Sequence, residues 1–183
     1  TVCMRDAEKW VDNCLEALVE QTYRPLEIIA VDDGSADGGY AKLKAWNGEH
    51  NGITVTVLKQ PPTGLSAGRN LALEHSKGEW VAITDIDCRP DPYWISEMYQ
   101  VSDGLDDEHV LAVTGRTIFD KGDTATSHLR ARSIARKYNS RPRITSLANG
   151  PCSMFERDAL MDVGGFNPKW YHAEDMEVSL RLL

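Results

Sequence analysis

Residues 79–92 read EWVAITDIDCRPDP. Trp80, Val81, Ala82 and Ile83 form a short apolar run of the kind a buried strand needs, and it stops abruptly at Asp85-Ile86-Asp87. Two carboxylates are thus delivered at a strand's end. In an open parallel sheet the carboxyl ends of the strands line the ligand crevice, where such acids can meet a phosphate through a divalent cation. The i, i+2 spacing keeps both on one side of an extended backbone, whereas a turn at Ile86 lets them diverge. A solvated acidic turn ahead of Pro90 fits the tripeptide as well.

Working outward, the order of elements sets the fold class. Ala7 to Gln21 carries Trp10, Cys14 and Leu18 on one stripe with Val11, Leu15 and Val19 beside it, which predicts a helix with Asp6 as N-cap. Leu26 to Val31 is a continuous apolar strand ending at Asp32-Asp33-Gly34-Ser35. Gly38 to Trp46 reads as a helix, Asn47 to Gly52 as a break, and Ile53 to Leu58 as a strand. Ser66 can cap a helix running to His75, and the opening strand follows. Trp94, Met98 and Val101 share a face of the next helix, Gly104 to His109 is an acidic loop, and Val110 to Phe119 is another strand. Strand and helix in alternation predict an α/β domain with a doubly wound, mostly parallel sheet.

Beyond Lys121 the rhythm fails. Arg130, Arg132, Arg136, Lys137, Arg141 and Arg143 crowd a stretch that promises a weak helix at best. It reads either as a solvated basic face or as a surface for an anionic partner, including peripheral membrane contact through 130–143. Asn149 to Glu156 is then a strand, Arg157 to Val163 a short helix and Gly164 to Pro168 a tight turn.

Composition narrows the function classes. The 183 residues are 42% hydrophobic with a formal net charge of -8, so a core is affordable and general nucleic-acid binding is disfavoured. Cys3, Cys14, Cys88 and Cys152 lack C-x-x-C spacing, which argues against a zinc knuckle and fits reduced thiols in a cytoplasmic setting. No run of about 18 apolar residues exists, so no membrane span is expected. Thr1-Val2-Cys3 and Val178 to Leu183 read as elements cut short, consistent with a catalytic core from a longer chain, whose membrane anchor or further domain would lie outside.

Three acidic sites fall at turns or strand ends: Asp32/Asp33, Asp85/Asp87 and Glu174/Asp175. Gly64-Leu65-Ser66-Ala67-Gly68-Arg69-Asn70 is a glycine-containing loop feeding a helix, suited to phosphate oxygens, though it has neither P-loop nor dinucleotide spacing. An exposed Arg69 on an ordinary loop, and Asp33 as a turn former, are equally open readings.

Taken together, VDDGS at 31–35, GLSAGRNLAL at 64–73, TDIDC at 84–88, GGFNP at 164–168 and HAEDMEVSLRL at 172–182 resemble the family 2 glycosyltransferases of the GT-A fold. The likeness covers essentially the whole chain. It departs where Cys3 and Asp6 stand for the Pro and Asn usual near the first strand's end, which puts base and ribose contacts there in question. The resemblance implies a UDP-, GDP- or dTDP-linked sugar donor, Mg²⁺ or Mn²⁺, and inversion at the anomeric carbon. It implies a glycan or lipid-linked acceptor, as in cell-envelope or polysaccharide synthesis, and a cytoplasmic site at or near the inner face of the membrane. Residues 1–118 would form the nucleotide-sugar-binding part and 119–183 the acceptor side of a single catalytic domain. Asp33 would hydrogen-bond base or ribose, with Met4 and Arg5 bordering that pocket, and Arg69 would face the nucleotide or its diphosphate. Asp85 and Asp87 would hold the metal, with Asp85 also contacting the nucleotide. Asp175 would be the catalytic base with Glu174 beside it, and Trp170 and His172 would bind acceptor. A sugar-phosphate nucleotidyltransferase and a non-catalytic nucleotide-sugar-binding domain share the acidic metal site and are the competing readings.

Overall fold

The structure, a computed structural model, describes residues 1–104, 110–120, 122–139, 145–170 and 172–183, with the side chains of 137–139 left aside. Its strands are β1 (Val2–Met4), β2 (Glu27–Asp33), β3 (Gly48–His50), β4 (Ile53–Gln60), β5 (Trp80–Asp85), β6 (Ala112–Thr114) and β7 (Ser153–Glu156). They form one sheet in the order β3-β4-β2-β1-β5-β7-β6. β4, β2, β1 and β5 are parallel neighbours, β3 and β7 run against them, and β6 pairs antiparallel with β7 and so rejoins the majority direction. The chain starts in the middle of the sheet, winds outward to β4 and then crosses to β5, which opens a crevice at the carboxyl ends of β1 and β5.

Strand alternation explains why both faces are covered. Val2, Met4, Ile28 and Ala30 pack against α1 (Val11–Val19) and α2 (Gly39–Ala45), while Cys3, Ile29 and Val31 turn to α3 (Leu65–His75). Within β5 the same rule sends Val81 and Ile83 toward α3, α6 (Arg157–Asp162) and α7 (Glu174–Arg181). Trp80 and Ala82 face α4 (Trp94–Asp103). Phe155 and Phe166 meet edge to face at 6.1 Å in that second cluster. A cavity of about 330 Å³ lies at the opposite end of the sheet, between the amino ends of β2 and β5, away from the acidic turns.

Several elements depart from the sequence-based expectation. The first helix begins as a 3-10 turn at Glu8–Trp10, and Asp6, at φ 49°, caps nothing: its carboxylate instead accepts from the Ala36 N–H. The break at 47–52 hides β3, a short antiparallel edge strand. The strand expected over 110–119 is confined to β6: the Gly115 N–H makes one more bond, to the Cys152 carbonyl, and there the partner segment is the 3-10 turn Gly150–Cys152. The basic stretch, expected as a weak helix, forms α5 (Ala125–Asn139) over fifteen residues. Arg141, Arg143 and most of the acidic loop ending at His109 lie outside the described residues.

The turn ahead of α7 is latched from two sides. Asn70 donates to the Phe166 carbonyl at 2.7 Å and accepts from the Phe166 N–H at 2.8 Å, while Arg181 donates to the carbonyls of Val163 and Gly165. Gly165 sits at φ +68°, and a Cβ there would stand 2.6 Å from Asn70 Oδ1. Gly165→Ala is therefore expected to destabilise the fold by about 1–3 kcal/mol, read as a lowered denaturation midpoint. An unchanged midpoint would show that the latch is not rigid.

Candidate active site

Three separate segments deliver charged side chains to one place. β5 ends at Asp85, and the Cys88 N–H closes a turn onto the Asp85 carbonyl at 3.0 Å, so the backbone folds at Ile86. The two carboxylates diverge: Asp85 is partly buried and Asp87 is exposed. From α3 comes Arg69, only 3% exposed, whose Nη2 donates to Asp85 Oδ1 at 3.2 Å and whose Nη1 donates to Glu174 Oε1. The guanidinium lies over the Phe166 ring at 5.4 Å. From the first turn of α7, Asp175 Oδ2 accepts from the Gly150 N–H at 2.7 Å. A Cβ on Gly150 would lie 3.2 Å from that oxygen and 3.7 Å from Arg69 Nη2, so this position is crowded by both side chains.

Charges in the cleft are unbalanced. Arg69 is shared between Asp85 and Glu174, and Asp87 adds a further carboxylate near Asp85. Burial, partly offset by Arg69 and reinforced by Asp87 and Glu174, raises the Asp85 carboxyl above its usual value of 3.8. Among the described residues no group of three or more His, Cys, Asp and Glu side chains forms a closed metal cage. One or two carboxylates in excess of local positive charge suit a hard divalent cation completed by water and substrate oxygens. Cys88 does not fit such a role, since burial, with Asp85 and Asp87 nearby, pushes its thiol up to about 11. Among these side chains the Asp85 and Asp87 carboxylates have the donor chemistry of a hard divalent cation, and the Cys88 thiol does not.

Other expected site residues are placed differently. Arg69, expected to face a diphosphate, is buried between two carboxylates because α3 packs against both β5 and the α7 turn. Glu174, expected beside the base, is itself buried and paired with Arg69. Met4, expected at a base pocket, is buried and packs beneath Gly39 of α2. Arg5 is exposed, 3.9 Å from Asp6. The β2–β4 register sets Asp33 opposite Gln60, so its carboxylate is drawn onto the following loop. Asp33 Oδ1 accepts from Gln60 Nε2 and the Thr63 N–H, each at 2.7 Å, and Oδ2 from the Gly64 N–H at 2.9 Å. Trp170, 50% exposed, and His172 are at the surface ahead of α7; Tyr171 lies outside the described residues. Gly150 and Asn70 were not foreseen. Their signal was present only as an Asn-Gly pair before a strand and as the residue following Arg69.

Comparison with known proteins points one way. The model described as Glycosyl transferase family 2 matches residues 1–164. EpsH of Bacillus subtilis (strain 168) is 30% identical over 148 residues, covering 78% of this chain and 39% of that one. Glycosyltransferase GlyA of Streptococcus pneumoniae serotype 4 is 32% identical over 95 residues, 51% of this chain and 12% of that one. Among solved structures, mannosyltransferase PcManGT from Pyrobaculum calidifontis, in complex with GDP-Man and Mn²⁺, superposes with a TM-score of 0.76. It is 25% identical, over 99% of this chain and 50% of that one. This chain therefore spans half or less of each of these proteins.

The raised Asp85 carboxyl has a sign that can be tested. The folded protein binds its proton more tightly than the unfolded chain does, so ionisation costs stability above the raised value and the cost fades as pH falls toward 3.8. Asp85→Asn, whose amide oxygen can still accept from Arg69, should raise the melting temperature of the metal-free protein at pH 7. That advantage should shrink on acidification. A variant that melts lower than wild type at pH 7 would contradict this.

Proposed function

The chain belongs to glycosyl transferase family 2, and from that premise we propose that it moves a sugar from a nucleoside diphosphate donor to an acceptor hydroxyl with inversion at the anomeric carbon. The observation that carries this reading is that Arg69 pairs with Asp85 at the end of β5 and with Glu174 in α7, which brings Asp85 and Asp175 into one neighbourhood though ninety residues separate them in the sequence. Inversion needs a hydroxyl attacking from the face opposite the leaving diphosphate, with a carboxylate in reach of its proton. Asp175 suits that role: Gly150 holds Oδ2 and, among the described residues, Oδ1 accepts no hydrogen bond. Asp85 and Asp87 would hold the divalent ion, which when bound supplies Lewis-acid stabilisation of the departing diphosphate. Asp33 retains acceptor capacity at Oδ2 for a base or ribose hydroxyl while it orders the loop that leads into α3. The exposed Trp170 offers an aromatic face to an acceptor sugar, and His172, exposed two residues on, is the second residue on the acceptor side.

The donor side of this reading is residues 1–118 and the acceptor side 119–183. PcManGT binds GDP-Man, and on that likeness a nucleoside-diphosphate sugar is the expected donor class here. Among the described residues no helix is long and apolar enough to cross a membrane. α5 carries Arg130, Arg132 and Arg136 and no Asp or Glu in its sequence, a composition that suits an anionic lipid surface or lipid-linked acceptor at the cytoplasmic side.

A thermal-shift panel of UDP-, GDP- and dTDP-sugars, each with Mn²⁺ and with EDTA, tests the donor half; one base should raise the melting temperature in a chelator-sensitive way. Asp175→Asn keeps an oxygen for the Gly150 N–H, so it should spare donor binding while lowering turnover by about 10²–10⁴-fold. Pyrophosphate release from a nucleoside triphosphate would instead identify a nucleotidyltransferase, and metal-dependent donor binding without any turnover a binding domain.

A further inference from the structure

We infer that Glu174 is a positioning residue: through the buried Arg69 it fixes the first turn of α7 against the carboxyl end of β5, and so sets where Asp175 stands in the cleft. The inference rests on reading Asp175 as the base.

The geometry separates the roles of the two neighbouring acids. Successive helical residues point about 100° apart, from 3.6 residues per turn, so anchoring one side chain inward fixes the direction of the next. Glu174 is buried with Oε1 on Arg69 Nη1, whereas Asp175 is half-buried at the cleft. Arg69 makes a stiff intermediary. Its planar fork is held on the second nitrogen by Asp85 at 3.2 Å and lies over the Phe166 ring, which is itself buried. The clasp therefore references α7 to β5, the strand that ends at Asp85.

A second observation supports it independently. The residue ahead of α7, Ala173, has a left-handed φ of 59°, and no side chain caps the helix. A left-handed alanine is uncommon and costs energy unless its surroundings impose it. With no local cap, the direction of entry into α7 is imposed from outside, by the Arg69 clasp on one side and by the strap at 148–150 on the other. That strap meets the helix twice: the Ala148 N–H donates to Ser179 Oγ at 3.0 Å and the Gly150 N–H to Asp175 Oδ2. Glu174 and Gly150 thus hold the same turn from opposite ends, one through its backbone direction and one through the carboxylate itself.

The test compares Glu174→Ala, Glu174→Gln and Asp175→Asn in the intact protein. Each is measured for kcat, for donor binding with Mn²⁺ by calorimetry, and for melting temperature. Glu174→Ala should lower kcat by about ten- to a hundredfold, the scale of a 1 Å misplacement, with donor affinity little changed. Glu174→Gln, whose amide oxygen still reaches Arg69, should recover most of the loss. A purely structural role would lower the melting temperature and leave kcat per folded molecule intact, which overturns the inference. Glu174→Gln as inactive as Asp175→Asn would overturn it differently, by making Glu174 the proton acceptor. Asp175→Asn with wild-type turnover would instead sink the base assignment, independently of the clasp. A crystal structure of Glu174→Ala decides the matter even without turnover: Asp175 is expected to leave the Gly150 N–H, and its retention there would overturn the inference.

Discussion

A guanidinium buried to 3% exposure needs counter-charge, and Arg69 finds it in Asp85 on one nitrogen and Glu174 on the other. Burying the ion alone is costly, and of its two partners Glu174, buried along with it, is the one that keeps the guanidinium compensated even where Asp85 is neutral. The arrangement thus tolerates few alternatives. It requires α3, the end of β5 and the start of α7 to converge, and their convergence makes a cleft. Asn70, the next residue along α3, ties down the Phe166 turn with two further hydrogen bonds, so a single helical step serves both the charge and the turn.

The same contact explains why the cleft is poorly balanced without a cation. Arg69 is shared between Asp85 and Glu174, and the Asp85 carboxyl is raised chiefly by its burial, with Asp87 and Glu174 adding to it. Excess like charge at a strand end is unfavourable for folding and favourable for holding a divalent ion, a conflict common at functional sites. Asp33 shows a milder form of this economy. Its oxygens order the loop into α3 and, through that loop, the placement of Arg69.

Where sequence reading and structure part, the cause is tertiary contact. The 110–119 stretch has strand composition throughout, yet its pairing ends with the Gly115 N–H on the Cys152 carbonyl, because the partner segment there is the 3-10 turn Gly150–Cys152. Asp6 looked like a helix cap, but Ala36 lies across the β1–β2 carboxyl edge and takes its carboxylate. The fifteen-residue α5 is basic and largely exposed, so no apolar stripe advertised it.

The sequence by itself determined the alternation of elements, the parallel core of the sheet and the acidic turns at its carboxyl edge, because apolar runs, periodicity and strand-end residues are local properties. It also offered Asp85, Asp87, Arg69, Glu174 and Asp175 as candidates, as types and positions without mutual geometry. Only the tertiary structure decided that Arg69 turns inward, that Glu174 pairs with it, and that Gly150 holds Asp175. Such choices depend on charges brought together across about a hundred residues of chain, where burial makes pairing compulsory.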